Sequence, residues 1–274
     1  MQKRAHVCLP IFALIMGICG AVIRAVELQH SFEPNAGLLI SGINVQIMRW
    51  FTIAVILLSA VFAFLLKGKL EDGLHLLSGK DDTVTKTLCI VGCFLLLGAA
   101  ANNYVGYRQV LRTSEIILLL LAAFAAVSLL IRIGKQGKEY NIFSLVPVFW
   151  CSFWLILIYR DRSIDPVVED YIYELFAVVA STLFFYGLVG YDFGSRNRRL
   201  SVFFGLVAVY LCLVTALGPV LAAVLYDRTI VYANIILYYA ACAIIALGGI
   251  HWLTKDHRIQ RGSDTNSDPA QIVS

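Results

Sequence analysis

Asp170 and Glu174 stand four residues apart in "LILIYRDRSIDPVVEDYIYELF", Leu155 to Phe176, between two apolar runs each long enough to cross a bilayer. On a helix that spacing puts both carboxylates on one face. Such a pair can serve as general acid and base when the environment keeps one protonated. Tyr173 adds a hydroxyl beside them, and Arg24, Arg160, Asn102 and Asn103 fall toward the same end of the molecule in the topology derived below. These seven residues form the candidate polar cluster.

The chemistry around the pair is thin. The chain contains no G-x-x-x-x-G-K-[ST], no G-x-S-x-G and no G-x-G-x-x-G after a strand, which removes a P-loop motor and a hydrolase elbow. Its five histidines show no H-x-x-x-H or H-E-x-x-H spacing, and its seven cysteines form no C-x-x-C pair. No metal, cofactor or disulfide framework is expected. Cys89 and Cys93 share a helix face as small packing residues. The balance leans against an enzyme, and an intramembrane lipid-modifying activity is kept only as the lesser alternative.

The elements that would position the cluster follow from composition. Hydrophobic residues make up 59% of the 274, charged residues 15%, and mean hydropathy is +0.79; soluble domains lie near 45–50% and 25%. The chain reads as an all-α polytopic membrane bundle. A hydrocarbon core of about 30 Å needs about 20 apolar residues per helix, and eight runs qualify: Val7–Val26, Trp50–Leu66, Thr87–Tyr104, Glu115–Ile131, Ile142–Tyr159, Pro166–Gly190, Leu200–Leu225 and Ile230–Leu253. The third has the shortest continuous apolar part, so seven spans is the competing count. Residues 1–254 form one membrane domain; 255–274 form a tail whose polar end, from about 262, should be disordered.

Basic residues set the orientation, because loops on the cytoplasmic side retain Lys and Arg. With the N-terminus inside, fifteen fall on cytoplasmic segments, Arg132, Arg198 and Arg199 among them, and five outside, with Arg24 and Arg49 within or beside a span. Both ends are therefore expected in the cytoplasm. The apolar stretch after "MQKR" lacks a clean small-x-small site and is read as an uncleaved first span. The net charge of +4 reports this topology, and no nucleic-acid surface is expected.

Helix mechanics divide the charged stretch. Asp165–Pro166 is a helix start, with Asp as N-cap and Pro at the first helical position. Glu169 and Asp170 suit its positive end. Glu174 lies nine residues past the cap, about 13 Å along the axis. Asp170, Tyr173, Glu174, Ala177 and Ser181 make a polar and small stripe that should face the bundle or a cavity, because a carboxylate facing lipid is costly. Its expected partners are Arg24, or Arg160 with Asn102 and Asn103.

Between Lys67 and Lys86 the leucines fall at helical spacing, fitting a short piece on the membrane surface or a plain connector. The loop after the first span turns apolar through Leu38, Leu39, Ile40 and Ile43 and should fold back on the membrane. Gly17, Gly20, Gly187, Gly248 and Gly249 suit close helix contact, and Gly218–Pro219 suits a kink in the seventh span.

The segments "VELQHSFEPNAGL", "VPVFWCSFWLILIYRDRSIDPVVEDYIYEL" and "FFGLVAVYLCLVTAL" resemble a group of bacterial multi-pass membrane proteins from Clostridia-like sources whose function is not known. The resemblance implies a bacterial cytoplasmic membrane and a single membrane domain; it implies no activity. The functional expectation is a non-enzymatic membrane component, a scaffold, sensor or accessory subunit, with an outward-facing polar cluster. A small transporter binding a polar solute or a proton there is the alternative. Membrane lipids, a polar solute or a protein are the partners this allows.

Overall fold

A computed structural model describes residues 5–31, 42–66, 83–107, 112–134, 138–162, 171–193, 197–226 and 233–255. Among them no strand occurs, and eight α-helices are long and apolar enough to span a membrane. They are α1 Ala5–His30, α2 Ile43–Leu65, α3 Thr83–Tyr107, α4 Thr113–Gly134, α5 Leu145–Arg162, α6 Ile172–Asp192, α7 Arg198–Tyr226 and α8 Ala233–Thr254. A 3-10 turn over Lys138–Ser144 leads into α5. In lipid the backbone must satisfy its own hydrogen bonds, and helices do so within each segment. The chain is an all-α, multi-pass membrane protein.

The third run is a complete helix of 25 residues despite its short apolar stretch, so the count among the described residues is eight. Ile43, expected in a loop folded on the membrane, is instead the first residue of α2. Asn44, Gln46 and Arg49 interrupt the apolar run there, but Met48 one turn on is fully buried, and this periodicity extends the helix. The helix start at Asp165–Pro166, Glu169, Asp170, residues 67–82, residues 32–41 and the tail beyond 255 lie outside the described residues.

An even number of crossings puts the start of α1 and the end of α8 on one face, the termini face. The opposite, far face is the one read above as outward. α7 is the central helix and packs against α1, α2, α6 and α8. Its buried residues point in every direction, as a helix without a lipid-facing side requires.

Small residues let α1 approach α7 closely and in parallel. A Cβ on Gly17 would meet Leu213 at 2.5 Å, and one on Gly20 would meet Val214 at 2.7 Å. Further along the same seam, a Cβ on Gly218 would lie 2.8 Å from Cγ of Arg24. The missing side chain thus makes room for the arginine stem. Pro219 follows, and α7 continues through it to Tyr226.

Ionic and carbonyl contacts fasten the termini face. Arg132, in the last turn of α4, forms a buried ion pair with Asp192 at the end of α6. Asn141 donates from Nδ2 to the Asp192 backbone carbonyl at 2.8 Å. Arg199 donates from Nε to the carbonyl of Leu66 at 2.7 Å and lies 5.0 Å over the ring of Phe64. Arg198 donates to the carbonyl of Leu253. Arg132 was counted above with the cytoplasmic segments; it is instead buried in the last turn of α4 and paired with Asp192.

Candidate functional site

The far half of the bundle holds a crevice whose origin lies in which helices touch. α2 packs on α1 and α7, and α6 packs on α5, α7 and α8. Among the described residues no backbone contact joins α2 to α6. The space between them is floored by α7 and closed toward the far face by the end of α1. It encloses about 450 Å³, within the range of about 300–1,000 Å³ usual for small-molecule sites.

Its polar end is built from four helices. Arg24 of α1 is only 5% exposed and Glu27 only 2%. Arg24 Nη1 donates to Glu27 Oε2 at 2.8 Å, an i,i+3 pair on one helix face. The Arg24 guanidinium also lies 4.6 Å over the ring centroid of Tyr173 at the start of α6. One cation therefore ties α1 to α6 through the aromatic face, while its charged partner lies on α1 itself. Arg49 projects from the exposed side of α2 to the same end, near enough to act electrostatically on Glu27. Thr52, one turn further on α2, shares a 2.8 Å hydrogen bond with the Tyr210 hydroxyl of α7. That bond pins α2 to the central helix.

Toward the termini face the lining becomes wholly apolar, with Ile56 from α2, Phe176, Ala180 and Leu183 from α6, and Phe203 and Leu211 from α7. The α6 lining residues recur every three or four positions, which is one stripe of the helix. The neighbouring stripe, Ala177 and Ser181, is buried against the bundle, where Ser181 meets Cys212 at 3.3 Å. Glu174, in the first turn of α6 on the side of Ala177 and Ser181, is half-buried and is not part of the crevice lining. Of the polar and small stripe expected on α6, Ala177 and Ser181 face inward.

The seven sequence candidates are thus distributed. Arg24 and Tyr173 meet in the crevice. The ion pair Arg24 makes at 2.8 Å is with Glu27, a residue outside the seven candidates. Arg160 is exposed and donates to Asp161 at 2.7 Å and to Ser114 at 3.1 Å, tying α5 to α4. Asn103 is buried in α3 beside Tyr238 of α8, and Asn102 is exposed. Asp170 lies outside the described residues. Sequence reasoning did not assemble Glu27, Arg49 and Thr52. The i,i+3 spacing of Arg24 and Glu27 was the available signal, whereas Thr52 and Tyr210 are 158 residues apart.

No family model, curated protein or solved structure matches the chain. The reading of the crevice therefore rests on its own geometry.

Proposed function

We propose that this protein is a non-enzymatic component of a bacterial cytoplasmic membrane whose crevice takes up an amphiphilic molecule from the surrounding leaflet. The observation that carries the reading is the polarity gradient within one space: charged and hydroxyl groups at one end, hydrocarbon alone along the rest. A polar solute would waste the apolar length. A plain hydrocarbon would leave the Arg24 end unused.

The opening supports sideways entry. Ile53 on α2 and Phe176 on α6 are both exposed at the gap, so the walls are continuous with lipid-facing surface. An amphiphile can enter there without its chain passing through water. Holding is favoured over carrying, because the ties of Arg132, Arg198 and Arg199 clamp the termini face.

The test is equilibrium binding of a fluorescent single-chain lipid to the full chain in nanodiscs. Binding should saturate with the wild-type protein and be lost on Leu183→Trp, which places a bulky ring at the mouth while leaving the core intact. Non-saturable partitioning that Leu183→Trp does not change would refute the reading.

A further inference from the structure

The crevice lining carries two guanidinium groups, Arg24 and Arg49, against one carboxylate, Glu27. With ordinary ionisation the polar end bears an excess of one positive charge. Glu27 engages Arg24 from the α1 side, and the ring of Tyr173 lies against the same guanidinium. Arg49 lines the same end from α2. A group held at that end can meet donors from both α1 and α2. Charge complementarity selects an anion, because a cationic or zwitterionic group would put positive charge against Arg49.

The length of the slot specifies the rest of the ligand. Arg24 packs at the level of Gly218, and Phe203 marks the other end of the lining. Fifteen residues of α7 separate the two levels, about 22 Å at 1.5 Å per residue. One leaflet of a hydrocarbon core is about 15 Å deep, so the slot accommodates a lipid chain along its whole length.

Below Thr52, whose hydroxyl is engaged by Tyr210, the lining offers no side-chain donor or acceptor. A small anion such as phosphate would have to shed water for the two arginines alone. The chain-bearing ligand gains burial of its whole hydrocarbon length in addition.

We propose that the crevice is a site for an anionic lipid, with a chain in the slot between α2 and α6 and the ionised headgroup at the end lined by Arg24 and Arg49. This rests on the amphiphile reading above and adds headgroup charge to it.

The experiment is displacement of a chain-labelled fluorescent lysophosphatidic acid from the full chain in phosphatidylcholine nanodiscs. The competitors are unlabelled lysophosphatidic acid, lysophosphatidylcholine and monoacylglycerol with the same chain, and inorganic phosphate. Hydrogen bonds to charged groups predict that lysophosphatidic acid competes at least about tenfold more tightly than the other two lipids. Phosphate alone should not displace the probe.

Arg49→Gln, on an exposed position, should fold normally and reduce that preference to within about threefold. The double variant Arg24→Gln with Glu27→Gln removes the buried pair together and should also weaken the preference. Equal competition by all three lipids would overturn the anionic headgroup and leave the amphiphile reading standing. Displacement by phosphate alone would overturn the lipid assignment. Saturable binding absent for every probe, with Leu183→Trp indistinguishable from wild type, would overturn both.

Discussion

Arg24 and Glu27 form a buried ion pair 2.8 Å long, three residues apart on α1, at the point where α1, α6 and α7 come together. The pair sits at the polar end of the crevice, so it bears on both the assembly of the helices and the character of the site. Two charges removed from water hold each other only while both are present, and losing one leaves the other uncompensated.

Glu27→Gln should therefore destabilise the folded chain by about 3–5 kcal/mol, as should Arg24→Gln. The double variant should lose clearly less than the sum, with a coupling of about 1–3 kcal/mol. Denaturant unfolding in a defined detergent measures the cycle. Additive losses would mean that the two side chains do not act as a pair.

Gly218 is where the stem of Arg24 crosses α7. A Cβ there would sit 2.8 Å from Arg24 Cγ and 3.2 Å from its Cβ. Gly218→Ala should lower stability by about 1–3 kcal/mol through overpacking at this seam. Gly98→Ala is the matched control: a Cβ at Gly98 of α3 has nothing within 4 Å, so the change should be neutral or stabilise by up to about 1 kcal/mol through helix propensity. Thermal unfolding of the two variants side by side reads the difference.

The termini face is held by a second buried pair, Arg132 with Asp192. Asp192→Asn should cost about 3–5 kcal/mol by leaving Arg132 buried without its counter-charge. Hydrogen exchange should show increased opening at the adjoining ends of α4 and α6. Lipid binding at the opposite end should be unchanged in the fraction that stays folded, which separates this tie from the crevice.

The eight crossings were readable in the sequence because each run is long and apolar, and length alone decides whether a helix can span. The inward stripe of α6 was readable from residue spacing, since Ala177 and Ser181 are small and Glu174 is expensive in lipid. The crevice was not readable. It exists because α2 and α6 do not touch, and no local pattern in either helix encodes the distance between them.

Arg24 and its α6 neighbour Tyr173 were both among the candidates, but Glu27, three residues along the same helix as Arg24, was not. Arg132 was misread for a related reason. A basic residue at a span's end has the same local signature whether it meets water or a buried Asp192, and only the packing of α4 on α6 distinguishes the two. Thr52 looks like an ordinary small polar residue in an apolar run until Tyr210 is brought to it from the other end of the chain.

The occupant of the crevice can be located directly with a phospholipid that carries a photoactivatable diazirine at the end of one chain. The full protein is reconstituted with it, irradiated, digested and mapped by mass spectrometry. Lipid seated as proposed should give cross-links concentrated on Phe203, Phe204 and Val207 of α7, well above those on the exposed faces of α3 and α5, and Leu183→Trp should abolish the enrichment. Labelling spread over the lipid-facing helices in proportion to exposure, with none enriched on that stretch of α7, would contradict the account.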